Sequence, residues 1–224
     1  MIIAIDGTSS REWRQESNGH SHIFDFQSDY AAPMGSKYFH DGPDSMAGFG
    51  VRLIADDAEK WARRKHAEGD RVIDIVGHSR GGMIAIILCK RMSKWPGGAA
   101  PVRFLGLYDA VHLAPTLEFT GVIPDNVQCC AHAKRYVYNL NRFYFLNTGR
   151  WGGKGQYFEK RFYASHAAIG GAKAGGIIKA DRWDDENGPM ADQWMRERAR
   201  ACGLRFVPRG LGAADLAGVA RSMA

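Results

Sequence analysis

Gly77-His78-Ser79-Arg80-Gly81 puts a serine between glycines two residues away on either side. Where such a turn joins a strand to a helix, the serine hydroxyl stands exposed above the sheet and can act as a nucleophile. The glycines are needed because strand and helix backbones approach closely there. A serine hydroxyl reacts poorly at neutral pH unless a base takes its proton and an acid orients that base. In this motif's usual chain order, serine is followed by an acid and then a histidine. Asp109 closes the apolar run Val102-Arg103-Phe104-Leu105-Gly106-Leu107-Tyr108 and is the expected acid. Beyond the turn, only His112, His132 and His166 remain as bases. His112 would share Asp109's loop, and His132 is read as preceding a strand. His166 follows an expected strand and precedes Ala167-Ala168-Ile169-Gly170-Gly171, so it is the expected base. The N–H groups of Arg80 and of Gly7 or Thr8 are the expected oxyanion donors, one from the residue after the nucleophile and one from the turn after an early strand.

The elements that must position these residues follow from periodicity. Residues 2–5 read as a buried strand, and 71–76 and 102–108 as central strands. Residues 81–92 are apolar on most sides and read as a buried helix. A helix is expected over 45–68, capped by Ser45, with Met46, Phe49, Leu53, Ala58, Trp61 and Ala62 on its apolar face. Further strands are expected at 135–140 and 158–163, and a helix at 190–201. Strands alternating with helices predict one α/β domain over 1–224, with a mainly parallel sheet covered by helices on both faces. Residues 9–44 show no clear period and read as a long loop or insertion. Phe24, Phe26, Tyr30, Tyr38 and Phe39 suit either a lid over an acyl pocket or packing anchors.

Composition narrows the classes. The chain is 45% hydrophobic and 24% charged, as soluble globular domains are. A net charge of +6 is spread along its length, and no nucleic-acid module is recognisable, so nucleic acid is not an expected partner. No apolar run approaches the roughly 18 residues of a membrane span, and Met1-Ile2-Ile3-Ala4-Ile5-Asp6 is no signal peptide. Cytoplasmic residence is the default expectation, with signal-independent secretion the alternative. Cys89, Cys129, Cys130 and Cys202 lack zinc-binding spacing and are expected to be reduced. His20, His22 and His40-Asp41 form a loose cluster better read as polar loop than as a metal site. No metal and no cofactor is expected.

Four segments together resemble a bacterial and fungal α/β-hydrolase family of uncharacterised function that includes phospholipase effectors of type VI secretion. They are Asp6-Gly7-Thr8, Lys37-Tyr38-Phe39-His40-Asp41-Gly42, the serine turn with arginine after the serine, and a downstream group. That group comprises Tyr108-Asp109, Ser165-His166 with Gly170-Gly171, and Trp194-Met195 through Ala199 to Gly203-Leu204. The resemblance implies an α/β-hydrolase fold and a Ser79–Asp109–His166 triad. It also implies hydrolysis of small-molecule or lipid esters, phospholipid acyl esters among them, and association with a secretion system or membrane surface. A thioesterase, or a non-catalytic binding module retaining the fold, is the alternative expectation.

Overall fold

A computed structural model describes residues 1–8, 20–43, 50–112, 121–136, 147–172 and 183–207. Its strands are β1 (Ile2–Ile5), β2 (Lys37–His40), β3 (Ile73–His78), β4 (Val102–Tyr108), β5 (Val122–Ile123), β6 (Val127–Arg135), β7 (Arg150–Trp151) and β8 (Gln156–Phe162). Its helices are α1 (His22–Asp29), α2 (Val51–Ala67), α3 (Arg80–Met92), α4 (His166–Ile169) and α5 (Asp184–Ala201). Six strands form a parallel sheet in the order β2-β1-β3-β4-β6-β8, and β5 pairs with β7 apart from it. The α/β class expected from the alternating pattern is the one observed.

Period-two alternation divides the core between the two faces of the sheet. Ile3, Ile5, Ile75, Leu105 and Leu107 pack with α2 and α3. Ile2, Ala4, Val76, Phe104 and Tyr108 pack with α1, α4 and α5. The chain therefore leaves β1 toward one face and β3 toward the other. Such a switch between neighbouring strands opens a crevice at their carboxyl ends, where ligands of open α/β sheets bind. Asp6-Gly7-Thr8 and Ser79 lie at those two ends.

Several boundaries differ from the sequence reading. β3 runs on through Gly77 to His78, so it delivers Ser79 directly. The strand expected at 135–140 lies earlier, at Val127–Arg135, and 137–140 fall outside the described residues. Its small Ala and Cys side chains are buried on the two faces of the sheet while its backbone pairs with β4 and β8, whereas the sequence signal was the aromatic stretch that follows. α5 begins at Asp184 and carries Pro189 within it. α2 starts after Gly50, in the left-handed conformation, and buries Val51, Ile54, Ala55, Ala58 and Ala62; Leu53 instead faces solvent. Ser45, Met46 and Phe49 lie outside the described residues.

The stretch read as an aperiodic loop contains α1 and β2; residues 9–19 and 44 fall outside the described set. Ser21 caps α1 by accepting from the Phe24 N–H at 3.0 Å. Phe26 is fully buried against Phe104, and the buried Tyr30 donates its hydroxyl to Asp74 at 2.7 Å. Both are packing anchors. The cysteines also differ from expectation: Cys129 on β6 is disulfide-bonded to Cys202 at the end of α5, leaving Cys89 and Cys130 as buried thiols. Non-neighbouring cysteines were brought together by the packing of α5 on the sheet, which spacing alone does not reveal.

Candidate active site

The turn after β3 has the backbone its glycines allow. Ser79 sits at φ 56°, ψ −126°, outside the regions that non-glycine residues favour, a strain of about 1–3 kcal/mol held by its surroundings. A Cβ at Gly77 would lie 2.5 Å from the Gly81 carbonyl oxygen, and one at Gly81 would lie 2.2 Å from that of Ile5. The two glycines therefore let β1, β3 and α3 close on one another. The turn is locked by the Ser79 N–H donating to Tyr108 O at 3.0 Å and by Val111 N–H donating to Ser79 O at 3.1 Å.

Ser79, Asp109 and His166 come from three separate strand ends and meet. His166 Nε2 is 2.8 Å from Ser79 Oγ, and its Nδ1 is 2.7 Å from Asp109 Oδ2. With the proton on Nδ1, the imidazole donates to the carboxylate and accepts from the serine hydroxyl. Asp109 follows β4 at φ 44°, a second strained position. His166 is the first residue of α4, whose cap Ser165 accepts from Ala168 N–H at 3.1 Å. Asp184, opening α5, accepts the Ser165 N–H at 2.6 Å and so pins the histidine's loop.

Residues that the sequence reading did not single out complete the acid. Arg135 donates to Asp109 Oδ2 through Nη1 and to Oδ1 through its main-chain N–H at 3.2 Å. Asn147 Nδ2 donates to Oδ1 at 2.6 Å. Arg135 lies at the carboxyl end of β6, where side chains converge on such a site; the misplaced strand had put it at a beginning. No sequence signal points to Asn147. His132, read as preceding a strand, lies inside β6, fully buried, and accepts the Ala110 N–H at 3.3 Å.

Burial alone would push the Asp109 carboxyl up. The bond from His166, the Arg135 charge and Asn147 outweigh it and hold the group well below the usual carboxylate range. Burial dominates at His166, which is brought down to about 4 despite Asp109. Its imidazole is therefore neutral at pH 7, the form able to take a proton. Burial likewise brings His132 down to about 3.

The oxyanion donors need one correction. The Gly7 N–H already donates to Asp6 Oδ1 at 2.7 Å, so Gly7 does not serve. Thr8 stays beside the nucleophile, its Oγ1 accepting from Arg80 Nε at 2.6 Å. Of the expected donors, Thr8 and Arg80 are left as the candidates. The loop histidines have separate partners: His20 contacts Asp25 at 2.8 Å, His22 Nδ1 contacts Ile169 O at 2.9 Å, and His40 Nδ1 accepts from Gly42 N–H at 3.0 Å. No group of three metal-ligating side chains forms among the described residues. No helix among them is long and apolar enough to cross a membrane.

No protein-family profile matches the chain, and neither does any curated protein. Solved structures do. A crystal structure of an uncharacterised protein from Pseudomonas aeruginosa is 13% identical and superposes with a TM-score of 0.55. The match covers 96% of this chain and 48% of that one, so this chain spans about half of its length. At that identity the likeness is one of fold: a parallel α/β sheet.

Proposed function

We propose that the protein is a serine hydrolase of the α/β-hydrolase type that cleaves carboxylic esters through an acyl-enzyme on Ser79. One observation carries this assignment: a single neutral imidazole bridges the Ser79 hydroxyl and the Asp109 carboxylate at 2.8 and 2.7 Å. His166 takes the Ser79 proton as the hydroxyl oxygen bonds to the ester carbonyl carbon. Asp109 stabilises the resulting imidazolium without itself being protonated. The oxyanion is met by the Arg80 and Thr8 N–H groups. Collapse expels the alcohol, which takes the proton from His166, and water repeats the sequence to release the acid. The resemblance to the family containing phospholipase effectors supports acyl esters, lipid esters included, as the substrate class. A location outside the cytoplasm accords better with the Cys129–Cys202 bond, because disulfides persist outside reducing compartments.

The test is labelling with a fluorophosphonate, a phosphorylating agent for activated serines. Wild type is expected to label rapidly, with the adduct on Ser79. Ser79→Ala and His166→Ala are expected to lose labelling, and His132→Ala to keep it. A folded wild type that fails to label would overturn the assignment and favour a non-catalytic binding module.

A further inference from the structure

We propose that His78 is a positioning residue: its ring fixes the main chain of the His166 loop against both the nucleophile turn and the oxyanion turn. Resting on the hydrolase assignment above, this identifies what sets the Ser79–His166 distance. His78 occupies the variable position before the serine, where the motif specifies no residue type. On β3 it shares the face of Asp74 and Val76, the face covered by α1, α4 and α5.

The ring is buried and reaches two loops that are far away in sequence. Its Nε2 donates to the His166 carbonyl oxygen at 3.0 Å. In a continuing α-helix that carbonyl would accept from the Gly170 N–H. Gly170 instead donates to Ala167 O, and His78 supplies a donor from outside the helix. On the other side, Nδ1 lies 3.8 Å from Asp6 Oδ1 and has no hydrogen-bond partner among the described residues. Asp6 is fully buried, and its two oxygens accept the Gly7 N–H at 2.7 Å and the Ser21 hydroxyl at 2.6 Å. The ring thus rests on the group that shapes the oxyanion turn.

Both flanking loops are cut away to admit it. A Cβ at Gly7 would come within 2.6 Å of His78 Nδ1, and one at Gly170 within 2.3 Å of its Cε1. Neither glycine has a positive φ, so space at the ring explains them and backbone freedom does not. The imidazoles of His78 and His166 stand 4.8 Å apart at 33°.

The leverage is geometric. Four-residue α4 has no stability of its own and depends on outside contacts to hold its place. Asp184 and His22 also anchor it, but His78 alone among these is covalently joined to the nucleophile. The bond from His78 to the His166 carbonyl closes a short circuit of residues around the reacting Ser79–His166 pair. Loosening that circuit moves the base relative to the hydroxyl.

The experiment compares His78→Gln, whose side-chain amide still offers an N–H to the His166 carbonyl, with His78→Leu and His78→Asn, whose side chains cannot reach it as donors. Fluorophosphonate labelling is measured as maximal rate and half-saturating concentration, with wild type and Ser79→Ala as references. Misplacement of a catalytic group by an ångström costs about 10²-fold; a fall of that order in maximal rate is expected for the Leu and Asn variants. The half-saturating concentration is expected to stay constant, and the Gln variant to retain most of the rate. Folded Leu or Asn variants that label like wild type would overturn the proposal, as would equal losses in all three, which would mean packing alone. Amide hydrogen exchange at Ile169 and Gly170 gives a readout independent of chemistry. Faster exchange in the Leu and Asn variants but not in Gln supports the positioning role even if wild type fails to label. Unchanged exchange overturns it. Failure of wild type to label, with the exchange difference present, counts against the hydrolase assignment alone.

Discussion

Two buried histidine–carboxylate pairs lie side by side in this molecule, and they are built for different work. At His166, one ring nitrogen bonds the Asp109 carboxylate and the other meets the Ser79 hydroxyl. At His78, one nitrogen lies 3.8 Å from Asp6, beyond hydrogen-bond length, and the other donates to a main-chain carbonyl. Depth does not separate them, since Asp6 and Asp109 are both fully buried. What separates them is the group at the far nitrogen. A hydroxyl can give up its proton and become a nucleophile, whereas a carbonyl oxygen can only hold a donor in place. The carboxylates differ to match. Asp109 gathers its donors beside an imidazole that becomes charged in the proposed reaction, whereas Asp6 spends both oxygens on the turn and on Ser21. On the proposed assignment, the same two residue types make an oriented base in one place and a clamp in the other.

The largest expected break in this comparison is Asp109→Asn. An amide donating toward His166 Nδ1 would invert the tautomer and leave Nε2 unable to accept from Ser79. Loss of the corresponding carboxylate charge costs about 10⁴-fold in turnover elsewhere, and a loss of labelling rate on that scale is expected here. A fall of only a few-fold would mean that Asp109 is no more an orienting acid than Asp6.

Arg135→Met sharpens the same contrast more gently. Arg135 holds the Asp109 carboxylate ionised, and its own charge opposes protonation of His166. Wild-type labelling requires neutral His166, so it should persist as pH falls below the ordinary histidine value of about 6.5 and drop near 4. Removing the cation should raise the histidine's proton affinity and shift this acid limb upward. Breaking a buried pair from one side also costs about 3–5 kcal/mol of stability, read as a lower Tm. An acid limb that stays in place or moves down would exclude Arg135 from the acid's electrostatics.

Much of the proposed triad was legible before the fold was known, and almost none of the contacts made by His78. Residues 102–108 are apolar but for Arg103, and 83–89 are apolar throughout, so burial on both faces of the sheet and around α3 showed directly in residue type. The turn's glycines marked Ser79, and Asp109 followed from standing at a strand end. α1 and β2 are short, half-polar segments whose packing comes from partners distant in sequence, and so they read as loop. β6 failed differently. Its Cys129, Ala131 and Ala133 carry weak strand preference on their own, and their place between β4 and β8 decides the conformation. Because that strand was displaced, Arg135 lost its position at the site and His132 its burial. Gly7 and Gly170 were visible as glycines, but the ring they accommodate was not, since it arrives from a third segment.

His132 offers the smallest and cleanest contrast with His166. Both are buried imidazoles with lowered proton affinity, yet among the described residues His132 meets no hydroxyl and accepts the Ala110 N–H. Its effect belongs to stability. Burial brings it down to about 3, so near pH 5 the unfolded chain carries a proton on this residue and the folded protein does not. Its contribution to stability is therefore complete above about pH 6.5 and declines as pH falls toward 3, by about 1.4 kcal/mol per pH unit in between. His166 adds a decline of the same sign down to about 4. His132→Gln keeps an acceptor for the Ala110 N–H but cannot titrate. Labelling at pH 7 should be unchanged, while the urea midpoint, followed from pH 6.5 to 4.5, should fall less steeply than in wild type. Equal slopes would mean that His132 takes up its proton without unfolding and that β6 yields more readily than its packing implies. A loss of labelling at pH 7 would instead place His132 within the Asp109 network, because Ala110 directly follows the acid and its N–H is held by this ring.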